Sequence, residues 1–202
     1  MALQDSHHCF RKSMLECHLF DQHLSKVIQT PASSAHLSCE AIFLNGYVAI
    51  ERLLESAFIA FTLGEMNRAG FTATCYLKPT NEQHAYDMIK SSQPFLDWTS
   101  PDVVIRRCET YFLDGNPIKT QIATRIDFLR SAKRIRNYIA HRSRESDLDF
   151  QKVLNALLPT PPLTPITCGH LLSLIPNGGV SKKTRILSYF LNGFSDFGDA
   201  LV

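Results

Sequence analysis

Residues 118–143 read IKTQIATRIDFLRSAKRIRNYIAHRS. Apolar side chains recur at helical spacing among basic ones, and no glycine or proline interrupts them. The pattern predicts a single amphipathic helix, opened by Asn116 before Pro117 and running to the end of the stretch. On a wheel of about 100° per residue with Arg136 at zero, Ala140 falls at about 40°, Lys133 at about 60°, Arg144 at about 80°, Asn137 at about 100° and His141 at about 140°. Ile135, Tyr138, Ile139, Phe128 and Ala132 fall between about 200° and 320°, a stripe wide enough to face a core. Arg136, Asn137 and His141 are thereby expected to point away from it.

Helix signals extend outward from this stretch in both directions, whereas strand alternation is nearly absent, so the fold class expected is all-α, an up-and-down helical bundle. A first helix should cover Leu3 to Gln29, with Phe10, Met14, Leu15, Leu19, Leu24 and Ile28 on its apolar side. Thr30 followed by Pro31 reads as an N-cap with proline at the first helical position, opening a long second helix to Leu63, before Gly64. Its apolar density from Ile42 to Phe61 marks it as the central helix, and Gly46 as a point of close packing. Asn81 offers a cap for a shorter helix to about Ser91. Ser100, Pro101 and Asp102 start another, to about Leu113. After the basic helix, Asp147 is expected to cap one more through Leu158.

The chain has 202 residues, 45% of them apolar, enough for one sizeable core. No apolar run approaches the roughly 20 residues that a membrane span needs, and the polar, His-rich start MALQDSHHCFRKS does not read as a secretion signal. A cytoplasmic location without membrane attachment is the expectation. Cys9, Cys17, Cys39, Cys75, Cys108 and Cys168 form no Cys-x-x-Cys pair, which argues for reduced, mostly packed thiols. The histidines and cysteines between His7 and His23 lack zinc-ligand spacing, so no metal site is expected. Four prolines between Pro159 and Pro165 break regular structure, suggesting a helical domain over residues 1–158. Residues 159–202 then form a proline-rich linker and an apolar tail. With Leu171, Leu172, Ile186, Leu187, Phe190, Leu191 and Phe194, this tail is too apolar to leave in water, and should pack on the domain or on a partner.

From Arg125 to Arg144 there are seven Lys or Arg against one Asp, a local +6 in a chain of net +2, which leaves −4 for everything else. Basicity so concentrated suits a nucleic-acid phosphate backbone. Its bland counterpart is a solvated helix face with C-terminal cations favoured by the helix dipole. His141 has a bland counterpart too, as a cap for the last carbonyls of its helix.

Arg136, Asn137 and then His141 after Tyr138, Ile139 and Ala140 resembles the signature of HEPN domains. The ribonuclease members of that superfamily carry an arginine, a polar residue and a histidine late in a small helical bundle. The resemblance covers residues 1–158. It implies a metal-independent endoribonuclease that needs no cofactor and acts as a homodimer on RNA, with Arg136, Asn137 and His141 catalytic. Lys133, Arg144, Arg134 and Arg130 would bind flanking phosphates. Imidazole can take the proton of a 2′-OH or give one to a leaving 5′-oxygen, since its ordinary pKa is about 6.5, and guanidinium suits the charge growing on phosphate oxygens. Such proteins serve as toxins or phage-defence effectors held in check by an antitoxin or regulatory partner protein. HEPN toxins neutralised by AMP-transferring antitoxins usually carry a tyrosine two residues past the histidine, where this chain has Ser143. A non-catalytic helical adaptor or nucleic-acid-binding module is the alternative.

Overall fold

Apolar side chains at helical spacing condense into helices over most of the described residues. The computed structural model describes residues 2–26, 32–90, 96–98, 100–160, 162–179, 181 and 183–202. Among these the fold is all-α, with nine α-helices, one 3-10 turn at Leu113–Gly115 and no β-strand. The helices are α1 (Leu3–Lys26), α2 (Ala32–Thr62), α3 (Glu82–Lys90), α4 (Pro101–Tyr111), α5 (Ile118–Ala123), α6 (Ile126–His141), α7 (Arg144–Leu157), α8 (Cys168–Ser173) and α9 (Ile186–Leu201). No helix among the described residues is long and apolar enough to cross a membrane. The expected end of the first helix at Gln29, its core position Ile28, the cap at Thr30 and Pro31, and the end of the third helix at Ser91 lie outside the described residues.

Several local signals act as their chemistry dictates. The Asn81 side chain accepts from the backbone N–H of His84 at 2.8 Å, meeting one of the free amides that open α3. Pro101 occupies the first turn of α4, where its missing N–H costs nothing. The basic stretch departs from expectation. It is two helices, α5 and α6, separated at Thr124 and Arg125. The cap of α7 is also corrected. Ser143 begins it, not Asp147, because the Ser143 hydroxyl accepts from the Ser146 N–H at 3.2 Å while Ser146 Oγ accepts from the Ser143 N–H at 2.8 Å.

The chain divides into two compact units, each gathered from separate stretches. The first comprises Met1–Lys12, Ala49–Arg130 and Asp196–Val202. Its core is built around Phe58, whose ring lies 4.7 Å from that of Phe112, 5.3 Å from Trp98 and 5.5 Å from Tyr111, centroid to centroid. Arg107 covers Trp98 from 4.4 Å and donates to the Asp97 carbonyl. His7 is buried and meets the Asp199 carboxylate at 2.8 Å.

The second unit comprises Ser13–Val48 and Ser131–Ser195, and holds the motif. Phe43 of α2 is fully buried against Phe190 (5.3 Å), Phe194 (5.8 Å) and Tyr47 (6.1 Å). Packing is close at Gly46, where a Cβ would stand 3.1 Å from a Leu191 methyl. Rings from the tail thus complete the aromatic core begun by α2, and each such buried side chain is worth roughly 1.5–3 kcal/mol. At the edge of this core, Arg185 pairs with Asp21 at 2.6 Å and Ser188 donates to the same carboxylate, so this buried aspartate is compensated.

Candidate active site

Helix α6 buries Ser131, Ala132 and Ile135 in the second unit. Tyr138 and Ile139, expected on its core stripe, are half-buried, and so is Phe128 of the first unit, where Leu129 is buried instead. A wheel assigns an angle to each side chain but not what lies opposite each turn. Tyr138 stacks on Phe150 of α7, with centroids 4.2 Å apart and planes at 15°. Burial above all raises its phenol pKa.

Arg136 is half-buried and donates to Asn137 Oδ1 at 3.4 Å, a contact that turns the amide toward the guanidinium. His141 is the last residue of α6 and is exposed. Among the described residues its imidazole has no hydrogen-bond or ionic partner, so it does not cap its own helix. Lys133, Arg134 and Arg144 likewise have no side-chain partners among the described residues. Arg130 differs. It belongs to the first unit, and its guanidinium meets Asp102 at 2.6 Å and Asp127 at 3.7 Å. Those contacts raise its pKa, and two carboxylates offset the charge it was expected to offer a phosphate.

The corner after His141 is tight. Arg142 has φ 42°, a left-handed conformation at the position after a helix where glycine is usual, at a cost of about 1 kcal/mol for a side-chain-bearing residue. Its guanidinium lies 3.5 Å from the carboxylate of Glu40, a buried residue of α2, whose other oxygen accepts from the Gly169 N–H at 2.9 Å. Beside this pair the rings of His36 and His170 stack at 5.0 Å. Desolvation first, then the neighbouring His170, lowers the His36 pKa, while Glu40 raises it. Sequence reading passed over Glu40, His36 and Gly169. The available signal was an acid placed inside the apolar run from Cys39 to Leu44, since a charge there requires a partner.

Gly169 fits because it lacks a side chain. A Cβ would lie 2.3 Å from the His36 carbonyl oxygen and 2.6 Å from its carbon, backbone atoms that cannot turn aside as a side chain can. Gly169→Ala is expected to cost at least about 2 kcal/mol and lower the melting temperature by roughly 4–8 °C. Gly46→Ala, whose Cβ would meet side chains only, a Leu191 methyl at 3.1 Å and the Phe194 ring at 3.3 Å, should cost less. Thermal denaturation of the two variants checks the order, and a Gly169→Ala protein that melts with the wild type would refute the close approach.

Four of the six thiols are buried. Burial pushes the thiols of Cys17 and Cys39 up to about 11 and that of Cys108 up to about 12, and raises Cys168 as well, so all four remain protonated near neutrality. Among the described residues no group of three or more His, Cys, Asp or Glu side chains is arranged to hold a metal ion. Compared with known proteins, the chain matches no family model, no curated protein and no solved structure.

Proposed function

We propose that the protein is an endoribonuclease of HEPN type, with Arg136, Asn137 and His141 as its catalytic residues. The observation that carries this reading is the exposed imidazole of His141, without a partner among the described residues, one and a half turns along α6 from the Arg136–Asn137 pair, with Lys133, Arg134 and Arg144 nearby and met by no described carboxylate. Solvated residues with no packing duty fit a role toward an external ligand better than one in the fold.

On a single helix Arg136 and His141 stand about 140° apart around the axis and roughly 7.5 Å apart along it, too divergent to converge on one phosphate. Two copies about a twofold axis bring each arginine beside the other's histidine. In that composite cleft one imidazole takes the 2′-OH proton as the oxygen attacks phosphorus, and the P–O5′ bond breaks. The second copy's imidazole protonates the departing 5′-oxygen. Arg136 carries the charge that develops on the phosphate, Asn137 orients it, and Lys133, Arg134 and Arg144 hold flanking phosphates. One product ends in a 2′,3′-cyclic phosphate, and no metal enters the step. A toxin or antiviral effector restrained by an antitoxin or regulatory partner fits such an activity.

The test is incubation of the purified protein with single-stranded RNA in EDTA. Cyclic-phosphate ends are expected, with no cleavage when 2′-deoxy residues replace the ribose. A second reading, a non-catalytic adaptor, has its own support in Leu15, Leu19 and Phe20 of α1, each more than half exposed. Salt-sensitive RNA binding with intact RNA would favour it over the nuclease.

A further inference from the structure

Glu40 lies among Cys39, Ala41, Ile42 and Phe43, with its side chain 9% exposed. A carboxylate in such surroundings persists only where its oxygens are met. One is met by the buried bond from the Gly169 N–H and the other by Arg142, the residue that follows His141. Gly169 sits close against the backbone of α2, where a Cβ would stand 2.3 Å from the His36 carbonyl oxygen. On the other side of the corner the Ser143–Ser146 capping pair fixes the start of α7. Arg142 bridges these two points in a left-handed conformation that costs an arginine about 1 kcal/mol.

We infer that Glu40 is a positioning residue for His141: by tying Arg142 to the first turn of α8, it sets the direction in which the end of α6 presents the imidazole. Without the tie, Arg142 relaxes toward a right-handed or extended backbone, and the turn that carries His141 reorients with it. The catalytic consequence rests on the ribonuclease reading, while the geometric one does not. It also gives the segment after the proline cluster a part in the site, since α8 supplies the anchor.

Glu40→Gln tests this with little change of shape. The amide oxygen still accepts from Gly169, but its NH2 now faces the Arg142 guanidinium, donor against donor. Two readouts are needed: the nitrogen-15 NMR signals of the His141 imidazole, assigned by their loss in His141→Ala, and kcat and KM for RNA cleavage. The His141 signals are expected to shift, and kcat to fall by about ten- to a hundredfold with KM unchanged, because the phosphate-binding cations are untouched. Arg142→Gln should do the same, and the double variant should add nothing further. Lys152→Gln, which cuts the exposed pair with Asp149, should move neither readout.

A folded Glu40→Gln protein with unmoved His141 signals and unchanged kcat overturns the inference. If that variant does not fold, Arg142→Gln alone decides by the same criteria. If the wild type cleaves no RNA, the nuclease reading fails, and the imidazole signals still decide whether Glu40 positions His141.

Discussion

Replacing His141 with alanine is expected to abolish RNA cleavage, lowering kcat/KM by about 10²–10⁴-fold while leaving RNA affinity and its salt dependence nearly intact. Imidazole is the side chain of the motif suited to moving a proton near neutral pH, whereas in the proposed reading attraction for the backbone would come from Lys133, Arg134, Arg136 and Arg144. Losing His141 should leave the fold undisturbed as well, because the side chain is exposed and has no described partner. Rates of cyclic-phosphate formation and melting curves on the same preparation check both halves. Equal cleavage by the two proteins would remove the proposed chemistry, and a large loss of stability would mean that His141 serves the fold.

Truncating Phe43 to alanine should be the most destabilising single change considered, at about 3–5 kcal/mol and a fall in melting temperature of roughly 10 °C or more. The ring is fully buried and touches aromatic side chains from its own helix and from α9. Its loss leaves a cavity that stiff rings cannot refill. Phe190→Ala should cost a similar amount, and the double variant less than the sum, because both cut the same contact. A melting temperature within about 2 °C of wild type for Phe43→Ala would show that α9 does not complete this core.

Much of the helical order was legible because the forces behind it are local. Proline at the start of α4 and the asparagine cap of α3 act within one turn, so the residues that signal them also cause them. The corner after α6 was not legible. It ends at an arginine in a left-handed conformation with no glycine or proline to mark it, and Ser143 and Asp147 are both competent caps until the chain's course selects one. Arg130 looked like its basic neighbours, yet it is paired with Asp102, a partner 28 positions away.

By itself, then, the sequence determined the all-helical class, the outward placing of His141 and the concentration of charge along α6. All of these follow from side-chain type and a period of about 3.6 residues. Only the tertiary structure decided which cations stay unpaired, that Glu40 reaches Gly169 and Arg142, and that rings of α9 enclose Phe43. Those contacts join residues more than a hundred positions apart, and their energies come from burial and pairing that no local pattern encodes.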